Sequence, residues 1–87
     1  MDESRQVIAA RNIARRNLLK ALEEKFLQFS TLGQALFAGE FAAIRELATR
    51  DLKDAALIRL NAIDLSPFLE DHPDWQGIKT SIVDLFQ

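Results

Sequence analysis

The chain contains no cysteine and no tyrosine, and only two prolines and three glycines in 87 residues. Without cysteine there can be no disulfide, no cysteine–zinc site and no thiol nucleophile, and folding carries no penalty in a reducing compartment. Gly33, Gly39 and Gly77 are too scattered to form a phosphate-cradling loop. Among the strand formers valine, threonine and tyrosine are scarce, with two, three and none, and only isoleucine, with seven, is well represented among the β-branched residues. No apolar run approaches the roughly 20 residues that a membrane span requires. The opening stretch Met1-Asp2-Glu3-Ser4-Arg5 lacks the apolar segment of a secretory signal, and a cytoplasmic location is expected.

Leu, Ala, Arg, Lys, Glu and Gln dominate instead, and these are good helix formers. The composition predicts an all-α fold: one domain over residues 1–87, a compact bundle of four to five helices with a long N-terminal helix. Apolar residues make up 48% of the chain, which is enough for one small core. Charged residues at 28% exclude the composition of a disordered chain. The spacing of Ala55, Ala62 and Pro67 resembles the end of a tetratricopeptide second helix. Arg59 stands where the aromatic of that pattern belongs, and the chain holds no second unit of about 34 residues, so the resemblance implies nothing further.

The first helix is expected from Ser4, as N-cap, to about Gln28. At 100° per residue Val7, Ile8, Leu18, Leu19, Leu22, Phe26 and Phe29 fall within about 120° of one another, and Arg11 and Arg15 interrupt that stripe. About 25 helical residues measure about 37 Å, longer than a globule of this size is wide. The first half of the helix should therefore overhang the core. Thr31 and Gln34 have capping-box spacing. A short helix Leu32–Ala38 would follow, with Gly39 as its cap or as a tight contact, and then a helix Glu40–Thr49. Asp51 is placed to cap a helix Leu52–Ile63. Ser66-Pro67 reads as N-cap and first helical residue of a short turn ending before Pro73. Asp74 or Asp71 would cap the last helix, Trp75–Phe86, with Trp75, Ile78, Ile82 and Leu85 or Phe86 facing inward. Trp75 is expected in the core, its indole N–H on a carbonyl.

Charge is unevenly distributed. Residues 1–25 carry six basic and four acidic side chains, while residues 61–87 carry Lys79 against Asp64, Glu70, Asp71, Asp74 and Asp84. Arg5, Arg11, Arg15, Arg16 and Lys20 follow one another with no acid among them, and they form the candidate partner-binding set. A solvated face would explain such a run. Like charges at i,i+4, however, cost about 0.2–0.5 kcal/mol each, which keeps a functional reading in view.

Candidate chemistry is thin. His72, between Asp71 and Pro73, would need a hydroxyl such as Ser66 within reach to act as a base. The pairs Glu23-Glu24 and Glu70-Asp71 are adjacent in sequence and diverge on a helix. No catalytic residue, metal ligand or cofactor is assigned. The expected function is a non-catalytic protein–protein interaction module, a small adaptor, chaperone, antitoxin-like or inhibitor protein. It would bind another protein or a second copy of itself as a homodimer. The alternative is a nucleic-acid-binding regulator using the same helix, which the acidic balance of the whole chain disfavours.

Overall fold

The computed structural model describes residues 2–87, with side chains from Arg5 onward. Four α-helices follow one another: α1, Asp2–Phe26; α2, Thr31–Thr49; α3, Lys53–Asn61; and α4, Asp74–Leu85. One 3-10 turn, Ser66–Phe68, lies between α3 and α4. There is no strand among the described residues, so the fold is an all-α bundle with a long first helix. The backbone of α1 already includes Ser4, and the side chain expected to cap it lies outside the described residues. The bundle closes as a ring: α1 packs on α2 and α4, and α3 packs on α2 and α4.

The core forms where four apolar stripes meet. Leu22 comes from α1, Ile44 and Ala48 from α2, Ala56 and Leu60 from α3, and Trp75, Ile78 and Ile82 from α4; all are buried. Phe29, Leu65 and Phe86 complete it from the connections and the chain end. At the α1–α2 turn the core is aromatic. Phe29 and Phe37 each meet the Trp75 indole edge-on, at centroid separations of 5.7 and 5.6 Å, and Phe68 lies at 5.5 Å. The Phe26 and Phe41 rings stack at 4.2 Å, tying α1 to α2. Such pairs add about 0.5–1.5 kcal/mol each beyond burial. Trp75 is the core anchor the sequence suggests, but its N–H has no acceptor among the described residues, contrary to the expected carbonyl partner.

Several helix ends differ from the sequence reading by one residue. Ser30, not Thr31, caps α2: its Oγ accepts from the Gly33 N–H at 3.3 Å. The Gln34 side chain reaches back to the carbonyls of Phe29, at 2.9 Å, and Leu27, at 3.3 Å, instead of closing a capping box. Asp64, not Ser66, organises the turn after α3, its carboxylate accepting from the Ser66 N–H at 2.9 Å and hydroxyl at 2.6 Å. No side chain caps α4. Pro73 holds the N-cap position and Asp74 is the first helical residue, where its charge favours the helix dipole.

The largest correction concerns Gly39. The two expected short helices are one continuous α2, and Gly39 lies inside it, exposed, without positive φ. It is neither a cap nor a contact, since nothing lies within 4 Å of where a Cβ would stand. One helical glycine interrupts a helix less than the surrounding alanines and leucines support it. Gly33 is the opposite case. It is buried, and a Cβ there would meet Phe29 Cβ at 3.0 Å and Trp75 Cζ2 at 3.1 Å. Gly39→Ala is expected to raise the unfolding free energy by about 0.5–1 kcal/mol. Gly33→Ala is expected to lower it by about 1–3 kcal/mol, because a Cβ-to-Cβ clash cannot be relieved by rotation. Urea unfolding of both variants checks the opposite signs.

Candidate functional site

α1 is longer than the body it packs on. From Arg5 to Ala14 every residue is exposed, and burial begins only with Arg15 and Leu18. The radius of gyration is 14.7 Å and the molecule measures 55 × 20 × 19 Å, whereas a compact chain of this length would have a radius near 12 Å. The overhang carries apolar side chains as well as charge: Val7, Ile8 and Ile13 are 51%, 58% and 56% exposed.

The five sequence-selected cations do not form one surface. At 100° per residue Arg5, Arg16 and Lys20 lie within about 60° of one another on the outward side of α1, while Arg11 and Arg15 lie about 80–180° away from them, toward the body. Arg11, Ala14, Arg15 and Leu18 line an open groove with Asp51 and Lys53, at the step where the overhang leaves the bundle. Arg15 is committed there. Its guanidinium grips the Asp51 carboxylate through two nitrogens, Nη2 on Oδ2 and Nε on Oδ1, the latter at 3.3 Å. Among the described residues Arg5, Arg11, Arg16 and Lys20 have no carboxylate partner.

Asp51 reaches Arg15 because of the way α2 ends. Arg50 is the C-cap, and Asp51 follows with φ 58°, in the left-handed region usually filled by glycine. The Leu52 N–H donates to Leu47 O at 2.9 Å and the Asp51 N–H to Ala48 O at 3.1 Å, the paired bonds of a Schellman ending. Asp51 therefore does not cap α3, whose N-cap is Leu52 with no side-chain bond. Aspartate tolerates this conformation better than most residues, and here it adds a carboxylate that fixes the end of α2 to the middle of α1. The hydrogen bond from Arg15 holds the Asp51 carboxyl below the usual carboxylate range. Partial desolvation opposes that shift, and the charges of Arg15, Lys53 and Arg11 add to it. Asp51 and Lys53 are the site residues that the sequence reading missed. The available signal was an Asp in the glycine position after a helix.

The other candidate chemistry is occupied by packing. The Ser66 hydroxyl donates to Asp64, not to His72. The His72 ring stacks on the Trp75 indole at 4.1 Å with 13° between planes, a lid on the aromatic core. Lys79 closes an apolar crevice lined by Phe26, Phe41, Ile44 and Ile63, and its ammonium donates to Ile63 O at 2.7 Å. No group of three or more His, Asp or Glu poised to hold a metal occurs among the described residues. No helix among them is long and apolar enough to cross a membrane. No protein family, curated protein or solved structure matches the chain.

The Asp51 linkage has a definite sign. A carboxyl whose folded pKa is depressed contributes stability above its unfolded pKa and loses it as pH falls through the folded value. Arg15→Gln is expected to flatten the acid limb of stability below about pH 4, near the ordinary aspartate pKa. Asp51→Gly is expected to remain more stable than Asp51→Ala, since both lose the ion pair but only alanine keeps the backbone strain. Thermal unfolding between about pH 2 and pH 6 measures both effects.

Proposed function

We propose that the chain is a non-catalytic protein-binding module, and that the overhanging half of α1 is its binding element. The observation that carries this reading is the exposure of every residue from Arg5 to Ala14 on a helix whose other half is packed. Val7, Ile8 and Ile13 are half-exposed on that segment, and covering each would contribute about 1 kcal/mol. The outward row Arg5, Arg16 and Lys20 adds orientation and association rate toward an acidic surface. The groove at the base, with Arg11, Lys53 and the Arg15–Asp51 pair, supplies a second and more rigid contact zone.

An acidic protein surface fits better than nucleic acid. The exposed cations are split over two sides of one helix, and the opposite end of the molecule carries Glu70, Asp71 and Asp74, all exposed. That end would be repelled by any extended polyanion. With Arg5, Arg16 and Lys20 all changed to Glu, helicity should be preserved because the positions are exposed. The wild-type chain, immobilised through its C-terminal end, is expected to retain a discrete protein from a native extract. The triple variant is expected to lose it, with association slowed about tenfold or more. Retention that disappears on nuclease treatment and falls steeply with salt would replace this reading with phosphate binding. Equal retention by the triple variant would remove the outward cations from the site.

A further inference from the structure

The groove at the base of the overhang holds more positive charge than its own carboxylate neutralises. α1 supplies Arg11 and Arg15, one turn apart, and the turn from α2 into α3 supplies Asp51 and Lys53. Arg15 commits two of its nitrogens to Asp51. Neither Arg11 nor Lys53 has a carboxylate partner among the described residues. Both stand close enough to act on Asp51, whose carboxyl is held low first by the hydrogen bond from Arg15 and further by the charges of Lys53 and Arg11. No second acid lines the groove. Asp54, in the first turn of α3, lines the adjoining hollow with Leu52 and Ala55. Glu3, the nearer of the two acids that open α1, stands eight residues before Arg11, about 12 Å along the helix. Arg11 and Arg15 are like charges at i,i+4, so their closeness is unfavourable until an anion joins them.

The donor set identifies the ligand. Arginine and lysine side chains only donate, and the one accepting side chain of the groove, Asp51, is already bound. Ala14 and Leu18 form an apolar floor that offers no competing polar group. The groove measures about 390 Å³ and is open, room for a group of several heavy atoms. Three positive side chains against one negative leave a charge of +2. A carboxylate or a phosphodiester, with a single negative charge, would offset half of it. A phosphate monoester carries about −1.5 to −2 at pH 7 on three accepting oxygens, and it balances the groove. Guanidinium forks and a lysine point charge are the groups that hold phosphate. We propose that Arg11, Arg15 and Lys53, with Asp51, form a binding site for a phosphate monoester, carried by a small molecule or by a phosphorylated side chain of a protein. This rests on the groove being a contact zone, as proposed above, and names the group it takes. Asp51 has two parts in it: it holds Arg15 in place, and it lowers the charge that meets the ligand.

Phenyl phosphate titrated into the full chain, followed by amide chemical shifts, tests the site. The shifts are expected to saturate and to centre on Arg11, Arg15 and Lys53. Arg11→Gln and Lys53→Gln are each expected to weaken binding about threefold or more, the effect of one partly exposed charge. Arg45→Gln, at an exposed position of α2 outside the groove, is expected to leave it unchanged. Asp51→Asn should act in the opposite direction. Asparagine also accepts the left-handed backbone, so the turn is kept while a repelling charge is removed, and affinity should rise about threefold or more. Arg11 and Lys53 are exposed, so their variants keep the fold and decide the matter if Asp51→Asn does not. The groove contains no histidine, the side chain that ordinarily titrates between about pH 5 and pH 8. Affinity for phenyl phosphate should therefore rise across that window, as its second proton leaves near about pH 6, while affinity for sulfate stays level. Tighter binding of a phosphoserine-containing alanine peptide than of phenyl phosphate assigns the group to a protein, and the reverse order to a small molecule. Shifts that do not saturate, unchanged binding in both Arg11→Gln and Lys53→Gln, or weaker binding by a folded Asp51→Asn chain would each overturn the assignment. The probe needs no protein partner. A chain that captures an acidic protein through α1 but takes no phosphate would overturn this assignment alone and leave the binding role standing.

Discussion

A mismatch of helix lengths governs this structure. α1 has 25 residues, and it packs on helices of 19 and 12. The body ends where α2 turns into α3, and that turn is pinned to α1 by the Arg15–Asp51 pair. Before this level every described side chain of α1, from Arg5 to Ala14, is exposed. This half stays helical because Ala9, Ala10, Ala14 and the flanking Arg and Gln residues are good helix formers with no Gly or Pro among them, and because the packed half supplies the nucleus.

The two ends of the molecule are built from different physics. At the α1–α2 turn, five phenylalanines and Trp75 interlock, Gly33 gives the indole room, and His72 stacks over it. The buried indole N–H finds no acceptor among the described residues, and four aromatic rings pack around the indole. At the other end there is one exposed ion pair, a left-handed aspartate and a helix projecting into solvent. Local stability should therefore fall from the aromatic end toward the overhang, and binding surfaces are commonly drawn from the less stable part of a fold.

The long-range features were the most legible in the sequence. The inward stripe of α4, the core position of Trp75 and the overhang of α1 all follow from periodicity and length, which depend on many residues at once. The details that failed depend on single residues. Ser30 and Thr31 are both good caps, and the pattern could not choose between them. Gly39 read as a break because glycine marks helix ends on average, whereas here the flanking Ala38, Phe41 and Ala42 carry the helix through. Asp51 read as an N-cap for α3 because an aspartate between two helices suits either an N-cap or a left-handed helix ending, and the side-chain pattern does not choose between them. The candidate cations were legible as a group, but their division into an outward row and a groove pair required the position of Asp51, 36 residues away from Arg15.

The proposed binding role rests on this division into a packed body and an unpacked helix half. Amide hydrogen exchange along α1 tests that division most directly. Amides from Leu18 to Phe26 should exchange with the protection of the core, and protection should drop sharply on the N-terminal side of Arg15 at low protein concentration. Uniform protection along the whole of α1 under those conditions would mean that the helix is covered along its full length. It would contradict the account of a free overhang.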